Sequence, residues 1–363
     1  MTATIPALRD ELHDLCRRVG RRIQVMEVCG THTVSIFRSG LRSLLPPNLW
    51  LVSGPGCPVC VTAQRHIDAA IDLVARPGVI LATYGDMLRV PGRQGSLERL
   101  RAGGARIQVV NSARTALDFA RESPDTPVVF LAVGFETTAP ATAVTILEAD
   151  RERVRNFSVL MVHKLVVPAM RALLDEGDVP LDGFLAPGHV SVIIGAAAYR
   201  CVAAEYGRPV VVAGFESEQI LRGLVALVRQ IAAGRSEVQN VYSAVVTEDG
   251  NRVAQELLGR AFVPADTPWR ELGVIPRSGL ELAEEYRRYD ALERFGIELG
   301  EDEDHPLCRC GEVITGRAEP PECAAFATTC TPLNPIGPCM VSSEGTCAAW
   351  YKYGRHAPQR GPR

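Results

Sequence analysis

Short apolar runs that alternate with helical patterns constrain the fold of this chain more than any other feature. Eight such runs, rich in Val, Ile and Leu, cover 23–28, 49–53, 79–83, 107–110, 128–133, 159–162, 183–186 and 210–214. The candidate helices between them include 61–75, 113–122, 137–150, 165–176, 190–205 and 217–233. Because strands that are apolar throughout are buried on both faces, this alternation predicts an α/β fold with parallel sheets.

The chain has 363 residues, enough for two or three domains. The segments 128–140 and 210–220 share a strand–Gly–Phe–Glu–helix pattern, which indicates two similar α/β domains, although two unrelated βα turns would look the same. We therefore expect one parallel-sheet domain at 1–150, a second at 151–264, and a third, Cys-rich domain at 265–363.

The composition narrows the function classes. The formal charge is −3 and no basic stretch dominates, which argues against nucleic-acid binding. The sequence contains no run of 18 apolar residues and no signal-peptide pattern, so we expect a cytoplasmic protein without a membrane partner. After 265 we expect a connecting segment and a charged helix, followed by a solvated acidic loop at 298–306.

Six of the eleven cysteines lie between 308 and 347, in a segment with many Pro and Gly and little periodicity. Such a segment buries little apolar surface, so a metal centre is expected to order it. The spacings lack the close Cys pairs of zinc sites and favour a 4Fe–4S cluster, with structural zinc as the alternative. The predicted ligands are Cys310, Cys323, Cys330 and Cys347; Cys308 and Cys339 are left out, although either is a possible substitute.

Cys29 lies in "MEVCGTHT", after a predicted strand and before a helical pattern. The positive end of a helix dipole favours the thiolate form of a cysteine at this position. His32 follows three residues later, close enough to share a site. We interpret Cys29 and His32 as site residues, with a packed core cysteine as the alternative.

Cys57 and Cys60 lie in "GPGCPVC", in the turn after the next predicted strand. Cys60 is expected to begin a helix and to be the more acidic thiol. Ligands of open α/β sheets gather beyond the carboxyl ends of the strands, so Cys29, Cys57 and Cys60 are expected to face one crevice. Three thiolates there suit iron or another soft metal, and the adjacent pair can instead act as a dithiol.

Three further motifs carry weaker signals. His189 in "APGHVSVIIG" and Glu136 in "GFETT" lie at strand–helix turns, where either side chain often only caps a helix. Glu344 in "VSSEG" lies among the Cys-rich loops and could satisfy backbone groups alone.

Taken in order, "MEVCGTHT", "GPGCPVC", "GFETTAP", "APGHVSVIIG", "CRCGEV" and "GPCMVSSEGTC" resemble the motifs of the HypD family, which matures nickel–iron hydrogenases. The resemblance covers about 20–353 and leaves out the basic tail "YGRHAPQRGPR".

The resemblance implies two α/β domains and a 4Fe–4S domain, in a complex with the small chaperone HypC on which an Fe(CN)2CO unit is built. It also implies that HypE donates cyanide and that this chain supplies electrons. In this sequence Cys29 would hold iron, and Cys57 and Cys60 would be ligands or a switchable dithiol. His32 and His189 would tune or protonate the site, and Glu344 is a further candidate catalytic residue. A scaffold of this kind requires no turnover of its own. The rival interpretation is a cluster-dependent thiol–disulfide oxidoreductase, which uses the same pair without bound iron.

Overall fold

The computed structural model describes residues 4–354. Their strands form two parallel sheets and one antiparallel hairpin. The strands are β1 Ile23–Glu27, β2 Leu49–Ser53, β3 Ile80–Thr83, β4 Ile107–Val109, β5 Val128–Gly134, β6 Phe157–His163, β7 Gly183–Pro187, β8 Val210–Ala213, β9 Val238–Asn240, β10 Phe262–Trp269 and β11 Gly273–Leu282.

Helices cover the faces of the sheets and fill the C-terminal segment. They are α1 Ile5–Val19, α2 Gly30–Arg38, α3 Pro58–Val61, α4 Gln64–Val74, α5 Leu97–Ala102, α6 Ala113–Glu122, α7 Ala139–Arg151, α8 Val166–Glu176, α9 Gly188–Ile194, α10 Arg200–Tyr206, α11 Ser217–Ala232, α12 Arg252–Ala261, α13 Ala291–Phe295, α14 Cys310–Ile314, α15 Pro338–Val341 and α16 Thr346–Tyr353. None of the helices from Ile5 to Tyr353 is both long and apolar enough to cross a membrane.

The predicted α/β class is confirmed, and all eight apolar runs are strands. The first sheet has the order β2-β1-β7-β8-β9 and the second has the order β4-β3-β5-β6, with every pair parallel. Residues of β5 are buried throughout its length, as a central strand covered by helices on both faces requires. The two segments with the shared pattern enter different sheets, β5 in one and β8 in the other.

Strand pairing does not follow the expected boundary at residue 150. β1 pairs with β2 on one side and with β7, which begins at Gly183, on the other. The first sheet therefore contains strands that precede and strands that follow those of the second sheet along the chain. Pairing depends on contacts between distant segments, which local periodicity does not report. The division into 1–150, 151–264 and 265–363 stays a prediction.

The segment after residue 261 differs from the expectation of a connection and a charged helix. Residues 262–282 form the hairpin β10–β11, and a 3-10 helix at Glu284–Tyr289 replaces the charged helix. Pro264, Pro268 and Pro276 obscure the alternation of a strand, yet an edge hairpin accommodates proline.

The acidic loop is not simply solvated. Asp302 forms an ion pair of 3.0 Å with Arg65, and Asp304 forms one of 2.6 Å with Arg270. The Asp302 and Asp304 side chains are only 18% and 17% exposed. This acidic strap, residues 301–304, therefore fastens the chain that leads to Cys308 onto the start of α4 and the turn between β10 and β11.

Candidate functional site

Cys29 lies just beyond β1 and is the N-cap residue of α2. Its backbone N–H donates a hydrogen bond of 3.2 Å to Oε2 of Glu27, and Thr33 Oγ1 donates to the other oxygen of that carboxylate. Burial raises the pKa of the Cys29 thiol to about 12, with smaller contributions from the charges of Glu344 and Glu27. The expected thiolate is therefore disfavoured in this chain without a cation, because burial outweighs the helix dipole.

The turn that contains Cys57 and Cys60 packs directly on Cys29. β1 and β2 are parallel neighbours, and the Gly30 N–H donates a hydrogen bond of 3.2 Å to the Gly56 carbonyl. A Cβ atom on Gly56 would overlap the backbone of Cys29, so this close approach requires glycine. The structure thus brings together the two turns that the sequence placed at one crevice.

Cys57 and Cys60 form a disulfide, with their Cα atoms 5.2 Å apart. Cys57 is the N-cap residue of α3, and its sulfur accepts a hydrogen bond of 3.2 Å from the Cys60 N–H. The helix begins at Pro58, so the prediction that Cys60 begins it was wrong. The longer expected helix at 61–75 is interrupted, and α4 starts at Gln64.

His32 and His189 both contact the ring of Phe215. The His32 ring centroid is 4.8 Å from that of Phe215, and the His189 ring stacks on it at 3.8 Å. Nε2 of His32 is 2.9 Å from the Gly214 carbonyl, and burial lowers the pKa of His32 to about 4. His32 is therefore neutral at pH 7 and buried beside Cys29, whereas His189 is exposed at the rim.

Glu344 connects the C-terminal segment to the Cys29 turn. Thr31 Oγ1 donates a hydrogen bond of 2.6 Å to Glu344 Oε1. Glu344 also contributes to the raised pKa of Cys29, and its charge opposes the lowering of the His189 pKa by burial. All six predicted residues of this region thus meet through direct contacts or shared electrostatics, and Phe215 contacts both histidines.

The six C-terminal cysteines lie around one small cavity. Five of them line it, and Cys339 contacts the sulfurs of Cys310 and Cys347. Hydrogen bonds donated by Cys310 and Cys339 lower the pKa of Cys347 to about 6. Of the four predicted ligands, Cys310 and Cys347 are buried, whereas Cys323 and Cys330 are half-buried.

The cysteines suit an iron–sulfur cluster in number and kind. Between residues 4 and 354, no three Cys, His, Asp or Glu side chains converge on a position for a single metal ion. An iron–sulfur cluster does not need its thiolates to converge on one point, because each thiolate binds a different iron. A Cβ atom on Gly337 would overlap the sulfurs of Cys308 and Cys310, so the missing side chain keeps the cavity open.

The Cys-rich segment also packs on the turn that carries the disulfide. α15, which contains Cys339, contacts α3, which contains Cys60. Cys57, Cys60, Cys310, Cys339 and Cys347 share one buried core. A short route therefore joins the two groups of sulfur atoms.

Sequence reasoning missed the buried carboxylate of Glu27 and an aromatic ring, and it placed Glu136 only as a weak candidate. Glu27 is 2% exposed and burial raises its pKa to about 8, while Glu136 accepts a hydrogen bond from Val166 rather than capping α7. A charged residue at the end of a buried strand was an available signal for Glu27. Phe215 belongs to the repeated Gly–Phe–Glu pattern, which by itself indicates a duplication and not an aromatic residue of the site.

Comparison with known proteins agrees with these motifs. Residues 3–354 match the family model described as HypD, "Hydrogenase formation hypA family". The hydrogenase maturation factor HypD of Escherichia coli K12 is 46% identical over 350 residues, which is 96% of this chain and 94% of that protein. HypD of Azotobacter vinelandii is 47% identical over 343 residues, covering 92% and 90% of the two chains. The chain therefore belongs to the HypD family of hydrogenase maturation factors.

Proposed function

We propose that this chain holds iron and assembles its Fe(CN)2CO ligand set together with a small HypC-like chaperone. In this proposal a HypE-like protein donates cyanide, and electrons pass through a 4Fe–4S cluster and the Cys57/Cys60 pair. The observation that carries the proposal is the contact between the Cys29 turn and the Cys57/Cys60 turn.

Cys29 is the residue proposed to bind the iron. Thiolates are soft ligands that suit iron carrying cyanide. Burial raises the pKa of Cys29, so a free thiolate there is unfavourable, and a bound cation would offset that cost. Glu27 holds the Cys29 backbone N–H, and Thr31 joins the turn to Glu344.

His32 and His189 have different positions in this proposal. His32 is neutral and held by the Gly214 carbonyl, so its role is to shape the wall of the pocket beside Cys29. His189 is exposed at the rim, where it can exchange protons with solvent or meet a bound partner.

The C-terminal cysteines are proposed to hold the cluster. A bound 4Fe–4S cluster would supply single electrons at low potential. Cys310, Cys323, Cys330 and Cys347 are the proposed ligands, and the packing of α15 on α3 supports a path to Cys57 and Cys60.

The alternative function is a cluster-dependent thiol–disulfide oxidoreductase. The disulfide between Cys57 and Cys60 favours it, because a cluster beside a disulfide needs no further iron to act. Iron content separates the two proposals. A cluster alone supplies about four irons per chain, whereas the scaffold carries a surplus.

Infrared spectroscopy tests the scaffold proposal directly. The full chain is purified anaerobically together with its small chaperone partner from cells that mature hydrogenase. We expect bands from iron-bound cyanide and carbonyl, and a Cys29→Ala variant should lose them while retaining the cluster. Absence of these bands from the wild-type complex would contradict the scaffold and favour the oxidoreductase.

A further inference from the structure

Glu136 is a buried carboxylate that neither proposed metal site uses. It lies just beyond the end of β5, and its side chain is 4% exposed. Oε1 accepts a hydrogen bond of 2.9 Å from the Val166 N–H, while Oε2 is buried and has no partner within residues 4–354. An ionised carboxylate with an unpaired buried oxygen is unfavourable, so this environment favours the acid form, and burial raises the pKa of Glu136 to about 7.

The neighbouring elements bring no cation to Glu136. His163 and Lys164 leave β6 beside β5, but His163 contacts Gly134 and Thr142, and Lys164 donates to the Pro268 carbonyl. Tyr199 is within electrostatic range of both Glu136 and Cys29. Among the described residues, Glu136 forms no ion pair. Burial therefore favours the protonated form of Glu136, and no adjacent positive charge among these residues favours the ionised form.

The helix that carries the disulfide packs on the strand that leads to Glu136. α3, which contains Cys60, packs on β5, and Cys57 and Cys60 share a buried core with Phe135, the residue before Glu136. Cys57 is 5% exposed and Cys60 is 1% exposed, so a reductant reaches Cys57 more readily. Attack on Cys57 makes Cys60 the leaving sulfur. A thiolate in that apolar surrounding is unfavourable unless it receives a proton.

We propose that Glu136 is the internal proton source for reduction of the Cys57–Cys60 disulfide. This inference rests on the proposed role of the pair as a switchable dithiol. A thiolate of a dithiol reductant attacks Cys57, the Cys57–Cys60 bond breaks, and a mixed disulfide forms. Cys60 sulfur takes the Glu136 proton. The second thiol of the reductant then displaces Cys57, its proton passes to the Cys57 sulfur, and the reductant leaves as a cyclic disulfide. Glu136 regains from solvent the proton that the attacking thiol had released there.

The test compares the rates at which dithiothreitol reduces the disulfide in the full chain and in its Glu136→Gln variant. Glutamine retains an acceptor for the Val166 N–H but cannot donate a carboxylic proton. We expect the wild-type rate to exceed the variant rate by about 100-fold at pH 6, within the range of a positioned general acid. The two rates should converge by pH 9. Because the two rates are compared at the same pH, the ionisation of dithiothreitol affects both equally and does not change their ratio.

Glu148→Gln is the matched control, because Glu148 lies on α7 and pairs with arginines away from the disulfide. It should retain the wild-type profile. A solvent deuterium isotope effect on the wild-type rate at pH 6 but not at pH 9 gives a second readout that needs no variant.

Each remaining outcome has a defined meaning. Parallel profiles for the wild type and Glu136→Gln, or an isotope effect that does not change with pH, would overturn the proton source alone. Two free thiols at residues 57 and 60 in the oxidised chain would overturn both the proton source and the dithiol role. Neither readout requires iron or a partner, so failure of the iron-assembly proposal leaves this test unaffected.

Discussion

Thr31 donates a hydrogen bond of 2.6 Å to Glu344, although 313 residues separate them in the chain. This bond joins the turn that contains Cys29 to the segment that contains the C-terminal cysteines. Because Glu344 is charged and Cys29 is buried beside it, the C-terminal segment influences the ionisation of a residue near the start of the chain.

Glu344→Gln is therefore expected to lower the pKa of Cys29. The amide oxygen still accepts from Thr31, but the negative charge that disfavours the thiolate is gone. The rate of Cys29 alkylation by iodoacetamide, followed against pH by mass spectrometry, should rise at lower pH than in the wild type. Glu248→Gln, at an exposed pair with Arg200, should leave the profile unchanged. An unchanged profile in Glu344→Gln would show that the two groups are not coupled.

Cys57→Ala and Cys60→Ala should each retain the visible absorption of the cluster and abolish delivery of the Fe(CN)2CO unit. The pair packs on α15 but does not line the cluster cavity, so its loss should interrupt transfer without removing a ligand. Hydrogenase activity in cells and absorbance of the purified chain measure the two effects. Normal maturation by either variant would rule out the relay.

Serine substitution at each C-terminal cysteine tests the predicted ligand set. Cys310→Ser, Cys323→Ser, Cys330→Ser and Cys347→Ser should lower the iron content and absorbance, because serine is a poor replacement for a thiolate ligand. Cys308→Ser and Cys339→Ser should retain both. Since Cys339 contacts two predicted ligands, loss of iron in Cys339→Ser would place it in the set instead.

Arg270→Met should loosen the acidic strap. The Arg270 side chain is 3% exposed, and its removal leaves Asp304 half-buried without that ion pair. Breaking a buried pair in this way costs about 3 kcal/mol of unfolding free energy. Hydrogen exchange of 297–308 and chemical denaturation measure the effect. Arg93→Met is the control: its partner Glu303 is 66% exposed, so a loss of less than about 1 kcal/mol is expected. Equal losses would contradict the role of burial.

His163 should make folding stability depend on pH. Burial lowers its pKa from 6.5 to about 4. Between pH 4 and pH 6.5 the histidine is therefore protonated in the unfolded chain and neutral in the folded chain. The contribution of neutral His163 to the free energy of unfolding is fully present above pH 6.5. It falls by about 3 kcal/mol as the pH drops towards 4. Glu27 and Glu136 contribute in the opposite direction, so the wild type is compared with His163→Gln at each pH. The difference between their unfolding free energies should shrink with acidification; a constant difference would contradict the buried neutral histidine.

Local patterns of the sequence were sufficient to predict all eight strands of the apolar runs and the α/β class. The same patterns failed at β9 and at the hairpin, where strands are short or contain proline. They also failed for the helix expected at 190–205, which breaks at Gly195 with φ of +82°. Periodicity reports how one segment is buried, and it is weak where a segment is short or irregular.

The motifs by themselves determined the candidate site residues: thiols at strand ends and in the C-terminal loops, with histidine and carboxylate beside them. Only the tertiary structure decided that β1 pairs with β7 although the strands of the second sheet lie between them in the chain, and that Glu344 reaches Thr31. It alone also decided that Glu136 is buried with one carboxylate oxygen that has no partner among residues 4–354. The physical reason is that strand order, desolvation and long-range hydrogen bonds depend on which distant segments meet. That information is absent from any single stretch of the chain.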